Sequence, residues 1–105
     1  MDSLLILTNC PDETSANRIA GQLVESGLAA CVNILPRVQS IYHWQGNIES
    51  AAEIPLLIKS TAAAYPALEQ AIATLHPYDT PEIIAIPICQ GLPAYLNWVA
   101  AETVQ

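Results

Sequence analysis

The side chains best suited to chemistry in this chain are Cys31 and His76, followed by Asp79 and Glu82, which lie three and six residues beyond the histidine. A thiolate with an imidazole is a donor pair for copper or zinc, and carboxylates are able to complete such a set. The same thiol and imidazole, if in contact, would form the nucleophile–base pair of a cysteine hydrolase. The surroundings of Cys31 disfavour that role. It sits between Ala30 and Val32, where a thiol packs as a small hydrophobe, and no glycine-rich elbow presents it. An enzyme is therefore not expected. The metal reading has its own competitor: no H-x₃-H or paired-cysteine spacing occurs, and a histidine ending a helix commonly satisfies the last carbonyls there. Cys10 and Cys89 read as packing thiols.

Two further features bear on binding. Ile41-Tyr42-His43-Trp44-Gln45-Gly46 sets aromatic residues beside a turn, as a stacking platform or as packing between strands or subunits. Lys59 directly follows an apolar strand and would pair with Glu82 in a cleft or form a plain surface salt bridge. Phosphate-binding glycine loops are absent, since Gly21, Gly27, Gly46 and Gly91 fit neither G-x-G-x-x-G nor G-x-x-x-x-G-K.

Charge narrows the partners. Ten acidic residues face only Arg18, Arg37 and Lys59, a formal net charge of −7. Three scattered cations make no footprint for nucleic acid or an anionic membrane, whereas cations are attracted. Charged residues form 12% of the chain against a usual ~25%, and apolar residues 52%. A small domain so poor in charge leaves apolar surface over, which points to burial against copies of itself. The odd cysteine count argues against a disulfide scaffold, no apolar run approaches the ~20 residues of a membrane span, and the opening residues lack a signal pattern. A reducing cytoplasm is expected.

These residues must be positioned by one domain spanning 1–105. Leu4 to Leu7 reads as a central strand. Asp12 caps a first helix whose Ala16, Ile19, Ala20, Leu23 and Val24 form one stripe, and Gly27 stops it. Leu28 to Trp44 is strand-like, with a bulge, a bend or an edge position expected at Pro36, and the Gln45-Gly46-Asn47 turn returns the chain through Ile58. Arms of up to about 15 residues would overhang so small a body, so the tip is expected to pack on a neighbour. A second helix begins at a Ser60 or Thr61 cap, with Pro66 in its first turn. After the rigid 76–81 loop come a strand from Glu82 to Ile88 and a helix from Pro93 to Val104. The order is that of an α+β, ferredoxin-like βαββαβ sandwich with a long β-hairpin and a C-terminal helix.

Five stretches in order resemble the CutA divalent-cation tolerance family: Ala30-Cys31-Val32-Asn33-Ile34-Leu35-Pro36, Ser40 to Glu49, Leu57-Ile58-Lys59-Ser60, His76 to Ile83, and Tyr95-Leu96-Asn97-Trp98. The resemblance implies a homotrimer whose hairpins brace neighbouring protomers. It also implies architectural kinship with PII signalling proteins, which hold small molecules between subunits. Carried over residue by residue, it implies metal contacts from Cys31 and His76 and a ligand cleft from Asn33, Trp44, Lys59, Tyr78 and Glu82. The expected ligand is copper, another divalent cation or a small molecule. The alternative is a PII-like sensor that binds an organic metabolite and a protein partner. Two departures weigh against a specific copper site: Asp79 stands where the family commonly has Glu, and Cys10 directly precedes Pro11.

Overall fold

The computed structural model describes residues 2–104. Strand β1 (Ser3–Cys10) is followed by helix α1 (Glu13–Glu25), strands β2 (Cys31–Ile34), β3 (Val38–Trp44) and β4 (Asn47–Thr61), helix α2 (Tyr65–Leu75), strand β5 (Ile84–Pro87) and helix α3 (Pro93–Ala101). The strands form one antiparallel arrangement in the order β2-β4-β1-β5, with β3 continuing β2 along the same side of β4. With β2 and β3 counted as one broken strand, this is the ferredoxin-like order.

The start of α1 is specified locally. Asp12 Oδ1 accepts the Ser15 backbone N–H at 2.8 Å, which holds its carboxyl below the usual range. At the far end Gly27 adopts φ +74°, and the Val104 backbone N–H donates to its carbonyl at 2.8 Å, tying the C-terminal segment to the helix stop. Ala16, Ile19 and Leu23 are fully buried on the predicted stripe, whereas Val24 at its margin is nearly half exposed.

Period-2 alternation divides the sheet. Ile6 and Cys10 of β1 and Ile54, Leu56 and Ile58 of β4 turn toward α1 and α2, where they meet Ile19, Leu23, Leu68 and Ile72. Each such side chain contributes ~1.5–3 kcal/mol when fully buried. Leu5, Leu7 and Leu57 alternate onto the other face with Ile84 and Ile86, which are 48% and 44% exposed. These five side chains form an apolar patch that is only half covered, with Lys59, opposite Leu5, at its side.

The break at Pro36 falls where expected. A residue without an N–H cannot continue the ladder, and pairing lapses over 35–37 apart from Leu35 N–H to Pro55 O at 3.0 Å. Beyond it β3 and β4 form a protruding ribbon closed by a two-residue turn in which Gln45 and Gly46 both have positive φ (50° and 82°). The ribbon draws the protomer out to 44 × 25 × 23 Å. Ile41 and Ile48 near its tip are 73% and 72% exposed, so the overhang inferred from arm length is real.

Three boundaries differ from the sequence reading. Ser60 and Thr61 end β4 rather than cap α2, because Ser3 pairs with Thr61 and the ladder takes these residues first. The cap of α2 is Ala64, with Thr61 Oγ1 accepting its N–H at 3.3 Å. The last strand is only Ile84–Pro87, set by pairing with Leu4 to Leu7 of β1, and α3 stops at Ala101.

Candidate functional site

A cleft lies where the base of the hairpin meets the loop after α2. From the hairpin come Tyr42, Trp44 and Glu53, which share one face because Val38 stands opposite Glu53 and side chains alternate along both strands. From the 76–82 loop come Tyr78, Asp79, Thr80 and Glu82, and the end of β1 adds Asn9. The cleft encloses a volume of ≈ 360 Å³.

His76 anchors the loop. Its Nδ1 accepts the Tyr78 backbone N–H at 3.1 Å, so Nδ1 carries the lone pair and Nε2 carries the hydrogen. That Nε2–H donates to the Asn9 carbonyl at 2.7 Å. Buried and bonded at both nitrogens, His76 latches the loop to the end of β1 and has no free lone pair for a metal. The helix-terminal role weighed for this residue is close to what is found, although its ring bonds to β1 rather than to the last carbonyls of α2. Arg18 serves there instead, donating to the Leu75 carbonyl at 2.6 Å.

With the loop latched, Tyr78 lies beside the hairpin and its hydroxyl donates to Glu53 Oε2 at 3.0 Å. Desolvation, together with this bond, pushes the phenol up to about 12, so it remains a donor at neutral pH. Glu53 is only 8% exposed, and no Lys or Arg pairs with it among the described residues. Asn9 Nδ2 donates to Glu82 Oε1 at 3.3 Å, which orients a second carboxylate. Asp79 adds a third. The wall is thus three carboxylates and three aromatic rings, without a cationic side chain.

Trp44, Tyr78 and Glu82 all line this cleft. Asn33 and Lys59 do not join them: the Lys59 ammonium donates to Asn33 Oδ1 on adjacent strands, away from Glu82. Cys31, opposite Lys59 in the β2–β4 register, belongs to that second group. His76 binds Asn9, which is opposite Pro55, four residues from Lys59 along β4. At ~3.3 Å per residue that is about 13 Å along the strand, with β2 and β1 on opposite sides of it. Within one protomer Cys31 and His76 therefore cannot share an ion. Among the described residues no group of three His, Cys, Asp or Glu is placed to hold a metal, so the donor set of a single chain does not fit copper. Cys10 is no substitute, because burial first, then Asp12 and Glu53, push its thiol up to about 11.

Asn9 and Glu53 escaped sequence reasoning. A lone Glu in an amphipathic strand reads as a solvated position, and only the placement of Tyr78 beside it reveals its role. Among the described residues no helix is long and apolar enough to cross a membrane.

Comparison with known proteins agrees with this architecture. Residues 4–102 match the family described as CutA1 divalent ion tolerance protein. The divalent-cation tolerance protein CutA of Thermus thermophilus is 46% identical over 99 residues, covering 94% of this chain and 96% of that protein. Protein CutA of Mus musculus is 47% identical over 94 residues, covering 90% of this chain, which spans only 53% of the mouse protein. Among solved structures, the T. thermophilus protein superposes with a TM-score of 0.96 at 45% identity, over 97% of this chain and 99% of that one. CutA1 from Shewanella sp. SIB1 gives 0.95 at 48% identity, over 98% and 96%. A match that runs through β1, the broken hairpin and the His76 loop alike leaves one assignment: the chain belongs to the CutA1 divalent ion tolerance family.

Proposed function

We propose that this protein is a homotrimeric binding protein of divalent-cation tolerance, and that the cleft between hairpin and loop captures a cation near the subunit boundary. The observation that carries this reading is the charge of the cleft: Glu53, Asp79 and Glu82 line it with no Lys, Arg or His among them. The chain's net charge of −7 adds long-range attraction of the same sign.

The trimer is supported by the half-covered apolar sheet face and by the overhanging ribbon, both surfaces that a lone protomer would leave in water. Copper is favoured among divalent ions because Cu²⁺ stands at the top of the affinity order for nitrogen, oxygen and sulfur donors. Cys31 lies on an edge strand, so it contributes to such a site only through contacts between protomers. A binding role rather than catalysis is favoured because the two parts of a thiol–imidazole pair are held apart and the Cys10 thiol is the reverse of activated. Three free cysteines suit a reducing compartment, and we place the protein in the cytoplasm.

Native mass spectrometry of the reduced protein, alone and with a slight excess of copper, tests this reading. A trimer that retains metal, and loses it on Glu53→Gln or Glu82→Gln, is the expected result. A monomer would overturn the assembly, and metal retention unaffected by both substitutions would overturn the cleft. The size of the cleft favours one second reading, a PII-like sensor of an organic metabolite, because ≈ 360 Å³ lies within the ~300–1,000 Å³ of small-molecule pockets.

A further inference from the structure

We propose that Cys89 is a thiol-modification site, and that the pocket beside it receives a small ammonium-bearing thiol delivered as its disulfide. The site is separate from the acidic cleft. Ser3 of this pocket and Asn9 of that cleft stand at opposite ends of β1, six residues or about 20 Å apart.

The pocket forms where the start of β1 meets the ends of β4 and β5. The Asp2 carbonyl accepts the Ala62 backbone N–H at 2.9 Å, and the Ser3 carbonyl accepts that of Ile88 at 3.1 Å. The second bond brings the segment after β5, and with it Cys89, beside Asp2 and Ser3. Leu4, Ile88 and Leu96 of α3 add apolar wall, and the pocket encloses ≈ 570 Å³. Cys89 reads from its sequence as a packing thiol, yet here it is exposed, lines the pocket and is free of any disulfide. A thiol that solvent reaches is open to exchange.

Ser3 is the independent sign of a ligand. It lines the same pocket and is only 5% exposed, and its Oγ is buried without a hydrogen-bond partner among the described residues. A hydroxyl in that state has lost its hydration and gained nothing in return, a condition native proteins seldom keep. The Ser3 carbonyl is already engaged by Ile88, so the unmet capacity belongs to the side chain. An ammonium donating to Oγ meets it.

Charge selects the class of thiol. Asp2 lines the pocket, no Lys, Arg or His does among the described residues, and the chain carries −7. A cationic reagent is attracted and an anionic one such as oxidised glutathione is repelled. In the exchange the Cys89 thiolate attacks one sulfur of the disulfide RS–SR. The Sγ–S bond forms as the S–S bond breaks, and the departing thiolate takes up the proton that Cys89 released. Cys89 is oxidised to the mixed disulfide and half of the reagent is reduced to RSH.

The test treats the reduced, folded protein with cystamine or with oxidised glutathione at mildly alkaline pH, followed by acid quench and peptide mass spectrometry. Rates at each cysteine of the urea-unfolded chain correct for the reactivity of the reagents. Cys89 should react at least about tenfold faster with cystamine than with oxidised glutathione after that correction, and Asp2→Asn should narrow the preference. Ser3→Ala should shift the equilibrium of the cysteamine adduct with free cysteamine about tenfold toward the free thiol, the effect of one lost hydrogen bond to a charged group. That hydroxyl has no partner in the fold, so its removal breaks no bond there. Equal corrected rates for the two disulfides, a preference unmoved by Asp2→Asn, or reaction mainly at Cys31 overturns the proposal. So does an adduct equilibrium indifferent to Ser3→Ala.

Discussion

Replacing Tyr78 by Phe deletes one hydroxyl and nothing else, and the consequence follows from what that hydroxyl touches. It donates to Glu53 Oε2 at 3.0 Å, and the carboxylate it serves is only 8% exposed. A hydrogen bond to a charged group contributes ~1.5–3 kcal/mol. Tyr78 as a residue is 38% exposed, so water partly replaces the hydroxyl and the lower bound applies, about 1.5 kcal/mol. In a Glu53→Gln background the acceptor is neutral, and the same Tyr78→Phe change should cost only ~0.5–1 kcal/mol. The coupling between the two sites is then ~0.5–1 kcal/mol, within the usual span for residues in contact. Urea unfolding of the four species measures it, at one fixed protomer concentration because assembly stabilises by mass action. Equal losses in both backgrounds, or a loss below ~0.5 kcal/mol in the parent, would refute the claim that Tyr78 compensates a buried charge.

Alkaline stability should carry the mark of Cys10, whose thiol is pushed up to about 11 from 9.0 by burial. The neutral form is favoured in the folded state, so this contribution is fully present below pH 9 and is lost as pH rises toward 11. Its ceiling is about 2–3 kcal/mol, and Cys10→Ala should flatten the pH 9–10 part of a urea-midpoint profile; an unchanged slope would count against the thiol. Gly27→Ala should destabilise by at least ~1–2 kcal/mol, because φ is +74° and the new Cβ would lie 2.8 Å from Val104 Cγ1. Thermal melts of Gly27→Ala with and without Val104→Ala separate the steric part from the backbone part, and an unshifted melt would disprove both. Ile41→Asp with Ile48→Asp, at positions exposed in the protomer, should leave far-UV circular dichroism intact yet dissociate the assembly in light scattering. A trimer mass that persists would show that the hairpin tips do not brace neighbours.

Local signals were strong wherever the backbone itself had few choices. Asp12 and Gly27 delimit α1 because a side-chain acceptor and a positive φ are needed at those points. Pro36 interrupts the long arm because it lacks an N–H, and Gln45-Gly46 makes the turn because both positions need positive φ. Ser60 and Thr61 misled because a cap hydrogen bond is worth less than continued pairing with β1, a partner more than fifty residues away. The element order and the five family stretches therefore carried the fold.

For the site, Trp44, Tyr78 and Glu82 were singled out because their stretches resemble the family's, and the fold sets all three along one cleft. Lys59 seemed a partner for Glu82, yet neighbours in a ladder win over distant opposites, and it bonds to Asn33 on the adjacent strand. Cys31 and His76 are 45 residues apart in the chain, a separation that permits contact or forbids it; β4, standing between their supporting strands, keeps them apart. Composition and local pattern by themselves determined an acidic, cation-attracting α+β chain with an overhanging hairpin, because charge and backbone constraints are properties of the residues in order. Only tertiary structure decided that Glu53 is buried, that both nitrogens of His76 are spent on a latch, and that Tyr42, Trp44 and Tyr78 line one acidic cleft, because burial and hydrogen-bond partnership exist only once distant segments meet.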